Sequence, residues 1–225
     1  MDTFIENLKF NLLEQNRYQY LLQGLKTTLI VTIFALLIGL ILGAIIAILK
    51  SADQDLDLSW TKLKDFPIKL LAKISSIFVT IIRGTPTTIQ LLIMFNIILI
   101  AIDNLILVAI LTFGINSAAY MSELFRGAIL SVNKGEKEAA RSLGLSYMQM
   151  NKKIVLPQAF KYSMPALSNE VITLFKETSI SGFIGLTDLT RGSSIITTQT
   201  FQATIPYMSA ALIYLFFVLL IEKIF

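Results

Sequence analysis

The sequence predicts an all-α membrane protein with five transmembrane helices, its N-terminus outside and its C-terminus in the cytoplasm. Three observations carry that prediction. Hydrophobic residues make up 55% of the 225 positions and charged residues only 15%, with a mean hydropathy of +0.71, which is too apolar for an ordinary soluble domain. Uncharged runs recur along the chain at about 20 residues each, the length an α-helix needs to cross a hydrocarbon core of about 30 Å. Basic residues are shared unequally among the connections between those runs, which sets an orientation.

What is missing narrows the chemistry. Cys and His are both absent, which removes disulfides, thiolate nucleophiles, zinc sites and Ser-His or Cys-His hydrolytic pairs. No catalytic residues and no metal ligands are expected, and nothing points to nucleic acid. No Gly is followed by Lys anywhere in the sequence, so a P-loop is excluded and ATP phosphates cannot be cradled here. The first residues, Met1-Asp2-Thr3-Phe4-Ile5-Glu6, lack the basic and apolar regions of a cleavable signal peptide, and insertion is expected to rely on the spanning helices.

Taken in order, Phe4 to Leu13 mixes Phe4, Ile5, Leu8, Leu12 and Leu13 with Glu6, Asn7, Lys9 and Asn11. This suits a short amphipathic helix in the interface plane, with a disordered tail as the alternative; residues 1–23 are read as an N-terminal interfacial segment. Thr27 to Leu49 is uncharged over 23 residues and makes the first span, where Gly39, Gly43 and Ala47 fall every fourth residue and leave one face nearly bare for a neighbouring helix. Lys50 to Lys73, with Asp53, Asp55, Asp57, Lys62, Lys64 and Lys69, reads as a solvated loop with Trp60 as an interfacial anchor.

Ile74 to Ala101 makes the second span, with Arg83-Gly84-Thr85-Pro86 as a kink inside it. Thr85 is placed to cap a half-helix beginning at Pro86, leaving an electropositive spot beside Arg83 for a carboxylate; the alternative has Arg83 snorkelling to lipid phosphates. Asp103-Asn104 is a turn, and Leu105 to Ser122 is a third uncharged span of 18 residues. Ser163 to Leu186 makes a fourth, interrupted by Asn169, Glu170, Lys176 and Glu177, and Ile205 to Ile221 a fifth. Thirteen of the 19 Lys and Arg residues fall in 50–73, 126–161 and the C-terminal end, against three in the N-terminal tail and 187–202. The positive-inside rule therefore puts 50–73 and 126–161 in the cytoplasm, which requires an odd number of spans.

Within the fourth span Asn169, Glu170, Thr173, Lys176, Glu177 and Ser181 share an arc of about 140° at 100° per residue, opposite Leu167, Val171, Ile172, Leu174 and Phe175. A polar face inside a bilayer is costly unless it lines a bundle interior or a wet path. On one reading Lys176 meets a substrate carboxylate and Glu177 a substrate ammonium; on the other both close salt bridges between helices.

The most informative segment is cytoplasmic. Glu138-Ala139-Ala140, Gly144, Ile154 and Leu156-Pro157 stand at fixed spacing in a basic stretch. A short helix with a small flat face at Ala139 and Ala140 suits a groove on a partner; Gly144 permits a sharp turn, and Leu156-Pro157 stops the next helix from extending backward.

This spacing resembles the EAA loop of ABC importer permeases. The resemblance extends to the polar amino acid uptake family of such permeases (histidine, glutamine, arginine and cystine types) through Arg83-Gly84-Thr85-Pro86 with Gln90, Ala118-Ala119-Tyr120 with Glu123 and Arg126-Gly127, and Lys176-Glu177-Thr178-Ser179. It covers the chain from about Gly24 to the end. It implies the type I ABC importer transmembrane fold over 24–225, with a cytoplasmic coupling loop at about 127–162, in a multi-pass subunit of the prokaryotic cytoplasmic membrane. It also implies partners: a second permease subunit, two ATPase subunits that bind ATP and Mg, and an extracytoplasmic solute-binding protein. ATPase coupling would fall to Glu138, Ala139, Ala140, Gly144, Ile154, Leu156 and Pro157, and the substrate pathway to Arg83, Gln90, Glu170, Thr173, Lys176, Glu177 and Ser181. Three departures stand out: Glu177 where Asp is usual, Thr87-Thr88 where Leu is usual, and Gly135-Glu136 in place of Gly-Gln. The sequence is read as a permease and not an enzyme. A secondary transporter is the alternative, but the internal repeats it should carry are not seen.

Overall fold

The computed structural model describes residues 2–55 and 65–225, and every described element is helical. The elements are α1 (Asp2–Leu8), α2 (Tyr18–Asp55), α3 (Phe66–Gly84), α4 (Thr87–Ile93), α5 (Leu105–Ser131), α6 (Lys134–Ser142), α7 (Tyr147–Met150), α8 (Leu156–Glu177), α9 (Leu189–Thr200) and α10 (Thr204–Ile224). Among the described residues α2, α5 and α10 are long and apolar enough to cross a membrane, and α3 with Thr87–Ile98 makes a fourth crossing if the broken pair is one span. Trp60, Asp57, Lys62 and Lys64 lie outside the described residues.

Several boundaries depart from the sequence reading, each for a local reason. Both ends of the loop expected over 50–73 are helical in the described residues, because α2 runs on to Asp55 and α3 begins at Phe66 with Pro67 in its first turn, where a missing N–H costs nothing. At 38 residues, α2 is roughly 57 Å long, well beyond the bilayer core. The kink expected at Arg83 to Pro86 is a full break: α3 ends at Gly84, Thr85 (φ −122°, ψ 145°) and Pro86 (φ −64°, ψ 135°) are extended, and α4 starts afresh. The Thr85 hydroxyl donates to the Ile81 carbonyl at 2.9 Å, and Pro86 rather than Thr85 stands at the α4 N-cap, without a side-chain bond. The fourth apolar segment begins as α8 seven residues before Ser163 and leaves α-geometry at Thr178, where Thr178–Ile184 is a 3₁₀ run. The Thr178 and Ser181 hydroxyls donate to the carbonyls three residues back, at 2.7 and 2.6 Å, which favours the tighter coil.

The chain forms two compact units. The first comprises Met1–Leu37, Pro86–Gly114 and Val171–Phe225. Its core packs Val31 and Ala35 of α2, Leu91 of α4, Val108, Ala109 and Phe113 of α5, and Leu174, Ile184 and Leu186. Phe175 meets the Tyr214 ring edge-on at 5.3 Å. The N-terminal segment is helical here, with Phe4, Ile5, Leu8 and Leu13 exposed. Asn11 is buried and donates to the Gln202 side chain at 2.6 Å. Burial raises the Asp188 carboxyl above the usual Asp range, opposed by the backbone N–H groups of Arg191, Gly182 and Thr190 and by the Arg191 charge; those of Arg191 and Gly182 donate to it at 2.8 Å each.

The second unit comprises Ile38–Thr85 and Ile115–Glu170. Here the Gly39, Gly43, Ala47 stripe does what its spacing implies: a Cβ on Gly39 would sit 2.6 Å from the Ser117 hydroxyl, and one on Gly43 would sit 2.5 Å from the Met121 Cβ. Helices α2 and α5 approach closely along that stripe.

Candidate functional site

The segment from Asn133 to Pro157 is built by three successive local devices. Asn133 accepts the Gly135 N–H at 2.8 Å and starts α6. At the other end Gly144 adopts φ +80°; its N–H donates to Arg141 at 3.0 Å and the Leu145 N–H donates to Ala140 at 3.1 Å. Those two bonds are a Schellman termination, which needs the left-handed residue that glycine supplies. Ser146 and Gln149 then form a reciprocal capping box for α7, fixing the exit direction.

Beyond α7 the chain does not restart at Leu156-Pro157, as expected from sequence. It passes through a π-helical turn, Asn151–Val155, directly into α8, with the Leu156 N–H donating to Asn151. Pro157 has no N–H to offer Lys153, and the widened turn accommodates the ring. Ile154 is half-buried, while Leu156 and Pro157 are exposed.

The placement of the small residues also differs from the expectation. Ala140 is 2% exposed and packs with Ala128, Ile129, Val132, Met150, Val155 and Ala159; it holds α6 down. Glu138 and Ala139 face outward. The most exposed apolar groups of the segment are two the sequence reading missed: Leu143, 81% exposed, and Met148, 74% exposed. They flank the Gly144 turn. Their signal in the sequence is weak, since an apolar residue beside a turn is ordinary in any helix pair.

On α8 the apolar side behaves as predicted: Leu167, Val171, Ile172, Leu174 and Phe175 are buried. Asn169, Thr173 and Lys176 are exposed, and Glu170 and Glu177 half-buried. Ser181 leaves this face. The 3₁₀ run changes the angular step, and Ser181 ends 1% exposed with its hydroxyl on Thr178. In the second unit the Ser117 hydroxyl lies 3.5 Å from the Glu170 carboxylate. Gln90 is buried in α4 of the first unit.

Arg83 is exposed, its guanidinium carbon 5.4 Å from the Tyr120 ring centroid. Nearby, Lys50 forms an ion pair with Glu123, whose other oxygen receives Arg126 at 2.7 Å. Sequence reading placed Lys50 in a loop and had Glu123 and Arg126 only as the end of a span and as part of the family resemblance, with no partner for either. A helix continuing past its uncharged run was the missing information. No metal-binding cluster of acidic residues occurs among the described residues.

Residues 67–224 match the family of binding-protein-dependent transport system inner membrane components. The chain is 35% identical to the arginine transport system permease protein ArtQ of Bacillus subtilis over 209 residues, which is 91% of this chain and 89% of that one. It is 33% identical to the putative glutamine transport system permease protein GlnP of Rickettsia typhi, over 91% of this chain and 89% of that one. A crystal structure of an amino acid ABC transporter with histidines matches with a TM-score of 0.79 and 35% identity, covering 94% of each chain.

Proposed function

The chain belongs to the binding-protein-dependent transport system inner membrane component family, and from that premise we propose that it is the membrane-spanning subunit of an ATP-driven importer that carries a polar amino acid by alternating access. The similar permeases are named for arginine and glutamine transport, so the shared element is an α-amino acid and the side chain differs. Five spans are assigned: α2, the broken pair α3 and α4, α5, α8 with its 3₁₀ extension, and α10. The basic loops lie in the cytoplasm, the N-terminus outside and the C-terminus inside. The setting is the cytoplasmic membrane of a prokaryote.

The observation that carries the coupling part of this reading is the Gly144 turn. It closes a short helix on a basic loop, buries Ala140 beneath it and leaves Glu138, Ala139, Leu143 and Met148 presented outward. Large apolar groups exposed in a loop assigned to water suit seating in a partner's groove. That partner is an ATPase subunit, which binds ATP and Mg. ATP-driven closure of two ATPases draws the loops of two paired permeases together and opens the path outward, and hydrolysis reverses it. A binding protein delivers the amino acid from outside.

The exposed polar face of α8 supports a role in the path. Glu170, Thr173, Lys176 and Glu177 present both charge signs, which is what a zwitterion needs, and Gln90 and Arg83 belong to the same assignment. Purification through a tag on this chain tests the reading: an ATPase should copurify, and reconstituted vesicles should accumulate an amino acid on ATP. Accumulation by this chain alone on a proton or sodium gradient would favour a secondary transporter instead.

A further inference from the structure

Resting on the importer reading, we propose that the open cavity bounded by Arg83, Tyr120, Lys50 and Glu123 is a carboxylate-binding station on the transport path, with Arg83 as the group that receives the amino acid's α-carboxylate. The cavity is about 540 Å³, and Ser76 and Thr80 complete its polar wall. That volume suits an amino acid with some water.

The charges around it are unevenly satisfied. Glu123 is fully engaged, one oxygen with Lys50 and the other with Arg126. Thr80 spends its hydroxyl on the Ser76 carbonyl at 2.9 Å. Among the described residues Arg83 has no carboxylate within ion-pair distance; its guanidinium lies over the Tyr120 ring. Counting Lys50, Arg83, Arg126 and Glu123, the cluster carries a net charge of +2. An uncompensated guanidinium in a spanning segment is costly, and it is retained where it meets an anion or lines a wet cavity. The Tyr120 face holds the planar guanidinium without occupying its N–H groups, and these match the two oxygens of a carboxylate.

The position along α5 suits a path. Ser117, which meets Glu170, stands one turn before Tyr120, and Glu123 one turn after it. Each step of three residues advances about 4.5 Å. Polar contacts therefore recur down α5 toward its cytoplasmic end, and Arg83 is the member free to bind.

The test uses the complete importer, purified through this chain with its ATPase and binding protein, in vesicles given L-arginine or L-glutamine. The parent should prefer the accumulated amino acid over its α-carboxamide tenfold or more, the discrimination of one charge-assisted hydrogen-bonded contact. Arg83→Met should raise KM for the amino acid about tenfold and lose most of that preference, and Arg83→Lys should fall between. Tyr120→Leu, with Arg83 intact, should weaken the preference too, and it stands in where Arg83→Met fails to assemble. Unchanged KM and unchanged preference in assembled Arg83→Met importer, with the parent transporting, would overturn the station alone. A second overturning result is loss of copurified anionic phospholipid from Arg83→Met with the preference intact, which would assign the cavity to a lipid phosphate. Failure of the parent to take up any amino acid would overturn the importer reading and the station with it.

Discussion

Leu145 donates its backbone N–H to the carbonyl of Ala140 at 3.1 Å, and the bond is possible only because Gly144 between them takes φ +80°. A Cβ at Gly144 would meet nothing within 4 Å, so the demand on this position is conformational and not steric. Gly144→Val should therefore cost on the order of 1–2 kcal/mol locally and misdirect Leu143 and Met148, while Gly144→Asn should be tolerated. Gly144→Asp adds a charge to the turn and should forfeit coupling while the subunit still inserts. Binding-protein-stimulated ATP turnover, measured on the three variants, checks the order; parental stimulation in Gly144→Val would contradict it.

The Gly43 contact makes a prediction of the opposite kind, about space. With the Met121 Cβ 2.5 Å from where a side chain would begin, Gly43→Val must push α2 off α5, at about 1–3 kcal/mol. A lower melting temperature in detergent is expected, with Gly84→Ala, where a Cβ meets nothing within 4 Å, unaffected by comparison.

How far these features were legible in the sequence depends on whether they are local. The uncharged runs marked α2, α5 and α10 because hydropathy is a property of the segment itself. The Gly144 turn was legible for the same reason. The Lys50–Glu123 pair was not, since it depends on α2 extending beyond its apolar run and on its register against α5. Ala140 was misread as surface because its burial is decided by Val132, Met150 and Val155, residues outside α6. Ser181 was misplaced because a constant 100° step was assumed through a segment whose own hydroxyls tighten the coil.

Asp188 ties the start of α9 to the 3₁₀ run through Gly182. Asp188→Ala removes the acceptor of two partly buried N–H groups and should cost about 1 kcal/mol; Asp188→Asn can serve one of them and should cost less. The pH dependence has a definite sign. Burial raises the folded pKa above the unfolded value, so the contribution is fully present below the unfolded pKa and is lost as pH rises through the folded one. Acidification from neutral pH toward the ordinary Asp range should therefore raise the melting temperature of the parent relative to Asp188→Asn. A difference that shrinks on acidification would contradict the assignment.

Lys176 separates a role in the path from a structural one. If its ammonium meets the substrate, Lys176→Met should remove about 1–3 kcal/mol of interaction with a carboxylate while ATPase copurification and melting temperature hold. If it instead closes a salt bridge in the assembled importer, the variant should assemble poorly or melt earlier. Parental uptake and affinity in an assembled, stable variant would eliminate Lys176 as a substrate contact.

The central claim is that this chain moves an amino acid only through an ATPase seated on the loop around Gly144. Accumulation of L-arginine or L-glutamine by binding-protein-loaded vesicles, with ATP inside, is the direct measurement. Uptake is expected when the copurifying ATPase is present and is expected to vanish when it is stripped away, or when Leu143 and Met148 are both replaced by Asp. Equal uptake with and without the ATPase, or in the doubly substituted chain, would contradict the account.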